Sequence, residues 1–250
     1  HRDKLASVRV IGYGASAITP RLLRRVLAET DCDLSQGFGM TELSGTIAFL
    51  GPEQHRLAAT TTPKLLQSVG QLVDDVDCRV IDQHGAEVAS GESGEIIVRG
   101  PQVISNYWNN PLATAESFKQ GWLYTGDIGR FDSQGNLAIV DRKKDIIISG
   151  GENIASREVE AVISLLDNVK QVAVVGIADQ KWGERVCAMV ERVDQQLAEP
   201  SKAKVISQCR DQLAGYKSPK LVLFDRLPVN ANGKIDKQKV KCVFTYQENS

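Results

Sequence analysis

Apolar and polar positions change their rhythm twice along this chain. Residues 7–11, Ser-Val-Arg-Val-Ile, read as a strand. Thr19-Pro20 then opens a helix, with Thr19 as N-cap and Pro20 at the first helical position. Leu22, Leu23, Val26 and Leu27 form its apolar stripe, while Arg21, Arg24 and Arg25 face elsewhere. Strand, loop and helix in that order predict the closing part of an α/β layer.

From about residue 68 the period shortens. Short apolar or alternating runs at 78–81, 95–98 and 137–140 are separated by turn signals at 82–85, 90–94 and 132–136. Such spacing predicts a small β-barrel or meander. After the charged run 141–145 the helical period returns. Val159, Val162, Ile163 and Leu166 make a stripe behind Ser156, which can cap the helix, and Glu158 suits its first turn. Strands at 172–175 and 186–190, a helix bearing Val205, Ile206, Cys209 and Leu213, a strand at 221–224 and a Gly-Lys loop complete a small α+β domain. The run at 141–145 is the best boundary, although its composition alone reads as a solvated loop.

Composition narrows the classes. With 250 residues there is room for one large or two modest domains. Apolar residues at 42% and charged residues at 24% are ordinary for a globular protein. A net charge of −1, with 30 Lys and Arg spread out, gives no sign of a general nucleic-acid or membrane-surface binder. No apolar run approaches the roughly 20 residues of a transmembrane helix, and the opening residues do not read as a signal peptide. Cys32, Cys78, Cys187, Cys209 and Cys242 are odd in number and widely spaced, which predicts a reducing, cytoplasmic compartment. His1, His55 and His84 have no partner at metal-ligand spacing. The chain starts at His1 rather than Met, which leaves a processed product or a fragment open.

Four stretches carry candidate chemistry. In Gln36-Gly37-Phe38-Gly39-Met40-Thr41-Glu42 the glycines let the backbone approach a ligand, Phe38 can lie against a flat ring and Thr41 can donate to a phosphate. Glu42 can hold Mg²⁺, a hard cation that prefers oxygen. In Gly121-Trp122-Leu123-Tyr124-Thr125-Gly126-Asp127 a carboxylate on a tight turn can accept both hydroxyls of a ribose. Arg142, in the run 141–145, can grip a ribose or phosphate through its planar fork. Lys234 follows a flexible Asn232-Gly233 and can swing its charge toward a phosphate. Each stretch alone also reads as an ordinary turn or loop. So does Gly150-Gly151-Glu152-Asn153-Ile154, whose paired glycines suit a tight turn between a strand and a helix.

Together and in this order, the stretches resemble the adenylate-forming, AMP-binding superfamily, and within it the acyl-CoA synthetases and aryl-acid CoA ligases. The resemblance runs from about residue 10 to about residue 240. It implies an α/β and α+β fold: the end of a large adenylation domain over 1–143, with its β-barrel from about 68. A small mobile C-terminal domain would follow over 144–240, then a tail at 241–250. It implies that Gly14, Ala15 and Ser16 lie beside the adenine and the acyl group. Gly37, Phe38, Gly39 and Met40 would complete the nucleotide site, Phe38 standing where the family often has an adenine-stacking Tyr. Thr41 and Glu42 match the phosphate and magnesium residues, Asp127 the ribose-binding Asp and Arg142 its partner. Lys144 matches the hinge, and Lys234 the lysine that contacts the carboxylate and α-phosphate.

The resemblance also offers a second account of the paired glycines. Gly150, Gly151 and Glu152 would help to line the tunnel for the pantetheine arm of CoA, where small residues let it pass. Tyr216 and Lys220 resemble the stretch that touches the nucleotide end of CoA. The implied activity is an AMP-forming acid–thiol ligase using a carboxylic acid, ATP with Mg²⁺, and CoA. A carrier-protein thiol as acceptor, or a non-catalytic truncated fragment, are the alternatives. The family's Ser/Thr/Gly-rich phosphate loop does not occur in these 250 residues. The expectation is therefore the C-terminal part of a longer enzyme, inactive by itself.

Overall fold

The structure is a computed structural model that describes residues 5–15, 18 and 20–248. It divides into two compact units, His1–Lys143 and Lys144–Ser250.

In the first unit, β1 (Val10–Gly14) pairs in parallel with β2 (Asp33–Met40), and α1 (Pro20–Glu29) makes the crossover. β3 (Gly45–Leu50) and β4 (Gln71–Leu72) extend this sheet antiparallel. The strand expected at 7–11 thus starts three positions later and runs through Gly12 and Gly14. Its inward residues, Ile11 and Tyr13, pack with Leu23, Leu34, Ala58, Leu65 and Leu66. Glycine is needed at 14 because a Cβ there would lie 2.5 Å from the Gly37 carbonyl oxygen. Leu23, Val26 and Leu27 of α1 face this core, but Leu22 is turned outward. Thr19, the expected cap, lies outside the described residues. α2 (Pro52–Thr60) follows β3, with Gln54 Oε1 accepting the Gly51 N–H at 3.0 Å.

The barrel expected from residue 68 is realised as a curled five-stranded antiparallel sheet. Its strands are β5 (Asp77–Ile81), β6 (Gly94–Arg99), β7 (Phe118–Lys119), β8 (Trp122–Phe131) and β9 (Leu137–Arg142), with α3 (Pro111–Ser117) leading into β7. Register shifts opposite Glu95/Ile97 and opposite Ile128/Gly129 leave extra residues on β8 and β9 and bend those strands. Leu43, Ile47, Val80, Ile96, Val98, Leu123 and Leu137 fill the inside.

In the second unit β10 (Ile147–Ser149), β11 (Glu152–Ile154), β12 (Val169–Asp179), β13 (Gly183–Arg192) and β14 (Leu221–Phe224) form one sheet. Helices α4 (Ser156–Ile163), α5 (Lys202–Gln212) and α6 (Lys237–Glu248) complete it. Alternation along β12 separates two cores. Val172 and Val174 join Ile154, Val159, Ile163 and Val205, whereas Ala173, Val175 and Ile177 join Met189, Leu227, Val240 and Phe244. A sheet buried on both faces reads as continuous apolar sequence, which is why short apolar runs marked much longer strands.

Ser156 does not cap α4: Ala155 holds the N-cap position, and the buried Ser156 Oγ accepts a hydrogen bond from Lys237 Nζ at 2.6 Å. Residues 241–248 are no tail, because α6 continues through them and buries Phe244. No helix among the described residues is long and apolar enough to cross a membrane.

Candidate active site

The first sheet presents a face paved with glycine. Register pairs Gly12 with Ser35 and Gly14 with Gly37, then Gly37 with Phe49 and Gly39 with Thr46. The two-residue period puts Gly12, Gly14, Ser35, Gly37 and Gly39 on one side. An open depression of about 670 Å³ lies over them, bounded also by Ala15, Met40, Thr41, Thr46 and Phe49. Gly14, Ala15, Gly37, Gly39, Met40 and Thr41, expected from sequence, therefore come together. Ser16 lies outside the described residues. Phe38 does not join them. It has the opposite parity on β2, and its half-buried ring packs on the cluster around Leu43 and Ile96. The expected stacking ring is thus turned away from the floor.

Gly12 on the floor and Phe49 at its edge carry no expectation from sequence. Gly12 lies one residue past the strand expected at 7–11, and Phe49 belongs to no motif. Phe49 is 45% exposed, an aromatic at the rim of the depression. The glycines differ in what they do. A Cβ at Gly39 would meet the Gly45 carbonyl oxygen at 1.8 Å, so strand pairing alone requires glycine there. A Cβ at Gly12 would meet nothing within 4 Å. Gly12→Leu should therefore leave the melting temperature unchanged while weakening, by about tenfold or more, the binding of AMP, the ligand that the sequence resemblance implies, measured by titration of the full-length protein. Unchanged binding would show that no ligand uses this floor.

Below the floor, the Tyr13 hydroxyl meets His55 Nε2 at 2.8 Å, and His55 Nδ1 lies 2.8 Å from the Gly51 carbonyl oxygen. A carbonyl only accepts, so neutral His55 carries its proton on Nδ1 and accepts from Tyr13. Burial lowers the pKa of His55 and pushes that of Tyr13 up to about 12. The pair ties β1 to α2 at fixed protonation near neutral pH.

Thr41 and Glu42 are adjacent yet serve different cavities. Glu42 borders a second one of about 540 Å³, with Tyr107, Lys119, Thr125, Gly126 and Lys143. The Tyr107 hydroxyl donates to Glu42 Oε1 at 2.9 Å, and burial, then this bond, raises the Tyr107 pKa. Tyr107 was not read from sequence, being 65 positions from its partner. Among the described residues no group of three or more His, Cys, Asp or Glu could hold a metal ion. A single oriented carboxylate fits Mg²⁺, which keeps several waters and takes other ligands from phosphates.

Asp127 is not on a tight turn but inside β8, where Gly126 at φ 70° kinks the strand. It is buried and pairs across strands with Arg142, whose Nε is 3.5 Å from Oδ1. Thr125 Oγ1 accepts the Asp127 N–H at 3.1 Å. Lys144 is exposed in the 3₁₀ turn Lys143–Asp145, and it is the first residue of the second unit.

In the second unit Gly150 and Gly151, at φ 62° and 86°, form the two-residue turn of a hairpin between β10 and β11. Positive φ at both positions suits the type I′ turn that matches strand twist. The expected turn between strand and helix is thus a turn between two strands. Trp182, unmarked in the sequence reading, covers Gly150. Its carbonyl accepts the Gly150 N–H at 2.8 Å, and its ring would lie 3.1 Å from a Cβ there. Gly151 and Glu152 face open space.

β12 occupies one edge of β13 along its length, so β10 and β14 share the other. Lys220 sits on that shared edge, its N–H bonded to the Val186 carbonyl at 2.8 Å. The paired glycines and Lys220 therefore border one strand edge. Tyr216 is exposed on the 3₁₀ turn before it, while Lys217 is engaged by both carboxylate oxygens of Glu158 at 2.8 and 2.6 Å. Lys234 is exposed on a hairpin closed by the Val229/Ile235 bridge. Asn230 Oδ1 accepts the N–H groups of Asn232 and Lys234 at 2.9 and 3.0 Å. The Asn-Gly step is clasped rather than flexible.

The first unit thus holds a glycine-floored depression with an oriented carboxylate nearby, and the second unit presents an exposed lysine. The profile of the AMP-binding enzyme family matches residues 1–108, and that of the AMP-binding enzyme C-terminal domain matches residues 158–234. The chain belongs to this family. It is 38% identical to the medium/long-chain-fatty-acid–CoA ligase of Mycobacterium tuberculosis, over 98% of this chain and 43% of that protein. It is 43% identical to the long-chain-fatty-acid–CoA ligase of Escherichia coli, over 94% and 40%. Among solved structures, the amide bond synthetase McbA from Marinactinospora thermotolerans superposes with a TM-score of 0.87 at 36% identity, covering 96% of this chain and 47% of that one. The o-succinylbenzoate CoA synthetase of Bacillus subtilis, in complex with its acyl-adenylate intermediate, gives 0.82 at 34%, covering 94% and 46%. The chain spans less than half the length of these relatives.

Proposed function

We propose that the protein containing this chain is an AMP-forming acid–thiol ligase. It joins a carboxylic acid to ATP as an acyl-adenylate and then passes the acyl group to CoA. The carrying observation is the glycine floor beside Thr41. A surface without side chains suits a planar base, and the adjacent hydroxyl suits a phosphate. Asp127, steadied by Thr125 and Arg142, accepts the ribose hydroxyls. Glu42, oriented by Tyr107, would hold Mg²⁺, and the ion would supply positive charge against the phosphates.

In the first step a carboxylate oxygen attacks the α-phosphorus and pyrophosphate leaves. Lys234 offsets the charge where two anions meet, and the rest is positioning. The second unit then turns about Lys144, withdrawing Lys234 and presenting the hairpin of residues 150–154. The thiol of CoA loses its proton, its sulfur attacks the acyl carbonyl, and AMP departs. Gly151 gives the pantetheine arm room, and Tyr216 and Lys220 meet the nucleotide end. Five free cysteines agree with a reducing, cytoplasmic setting.

The test is ATP–pyrophosphate exchange by the full-length protein across fatty and aryl acids, followed by thioester formation with CoA and with carrier protein. Exchange with no acid would overturn the reading. Gly151→Leu should leave exchange normal and slow CoA transfer by roughly tenfold, about 1.4 kcal/mol of barrier. Positive φ also strains a leucine by about 1–2 kcal/mol, so melting curves must accompany the rates. Normal thioester formation in the folded variant would reduce this hairpin to a turn.

A further inference from the structure

The hairpin that carries Lys234 hangs from two carboxylates, the buried Glu191 and the half-buried Glu160. On its entering side the Leu227 N–H donates to Glu191 Oε2 at 3.0 Å, and Lys170 Nζ holds the other oxygen at 2.6 Å. On its leaving side Lys237 Nζ donates to Ser156 Oγ at 2.6 Å and lies 2.7 Å from Glu160 Oε1. Glu160 Oε1 also accepts the Val174 N–H at 2.9 Å, on the outer edge of β12. The Lys237 and Glu160 side chains are only 18% and 19% exposed, and Ser156 is fully buried. This is no solvated surface pair. A partly desolvated ammonium joins the first residue of α6, the first two turns of α4 and the sheet edge. α4 in turn begins two positions after β11, the second strand of the Gly150-Gly151 hairpin.

We propose that Lys237 is a positioning residue for Lys234, fastening the leaving strand of its hairpin to α4 so that the ammonium is delivered to one place. The inference rests on the role given to Lys234 above. The hairpin has little other freedom. Its stem closes through the Val229/Ile235 bridge and the Asp236 N–H on the Pro228 carbonyl at 2.8 Å. Only two residues separate Lys234 from Lys237, so a displacement at Lys237 passes directly to Lys234. The same contact ties the lysine hairpin to the glycine hairpin through α4, so both travel as one rigid piece of the second unit.

The test uses Lys237→Met, Lys237→Arg and Glu160→Gln in the full-length protein. Glu160→Gln keeps a carbonyl oxygen for the Val174 N–H while removing the charge, and it carries the test if Lys237→Met fails to fold. A misplacement of about 1 Å can cost roughly a hundredfold in rate. Pyrophosphate exchange should therefore fall by about tenfold to a hundredfold in kcat, with the KM for ATP little changed. Thioester formation from supplied acyl-adenylate should stay within about twofold of normal, and Lys237→Arg should restore part of the exchange. Equal loss in both half-reactions, or loss that only follows the melting temperature, would make the contact merely structural and overturn the inference. Lys234→Ala runs alongside. If it cripples exchange while folded Lys237→Met and Glu160→Gln leave it normal, the inference alone fails. If Lys234→Ala leaves exchange intact, the role of Lys234 fails and the inference with it.

Discussion

Lys234→Ala in the full-length protein is expected to slow adenylation by roughly a hundredfold to a thousandfold, the usual cost of one charged or hydrogen-bonding contact to a transition state. Thioester formation from a supplied acyl-adenylate should remain near normal. The structure makes this substitution clean. Asn230 holds the loop through the backbone N–H groups of Asn232 and Lys234, and alanine keeps that N–H. The Lys234 side chain is exposed, so its loss opens no cavity. What disappears is a positive charge at the meeting of carboxylate and α-phosphate. Rapid-quench measurement of the two half-reactions separates the outcomes. Equal damage to both would mean that Lys234 shapes the hairpin rather than serving chemistry.

The two units differed in how openly the sequence declared them. In the second, strands buried on both faces left short continuous apolar runs, and the strand at 221–224 is found at those residues. In the first, β2 and β3 went unread because the outward face of β2 carries Ser35, Gly37 and Gly39 instead of an alternating polar set. Glycine there signals close approach of another backbone, as the 1.8 Å clash at Gly39 shows, but in sequence it looks like a turn. Motifs named site residues without saying which way they face. Thr41 and Glu42 part company because one borders the floor and the other the cavity beside Tyr107. Phe38 turns inward because its parity is opposite to that of Gly37. Trp182 and Tyr107 had no local signal, since each meets its partner only through tertiary pairing.

Phe244→Ala should destabilise the second unit by about 3–5 kcal/mol, the range for removing a fully buried aromatic ring. The segment looks dispensable in sequence. Lys237, Lys239 and Lys241 give it the polarity of a solvated end, and they hide Val240, Val243 and Phe244, which fall at i, i+3 and i+4. In the structure Asp236 Oδ1 accepts the Lys239 N–H at 3.2 Å and starts the helix. Val240 and Phe244 are then completely buried against Ala173, Met189 and Leu227. Because Lys237 is the first residue of this helix, loosening Phe244 should also loosen the clamp on Glu160 and lower adenylation well below the unfolding temperature. Chemical denaturation of the variant, and of a truncation after Val240, gives the comparison. Unaltered unfolding in both would return these residues to a tail, and would leave Lys237 fastened to a helix that needs no core of its own.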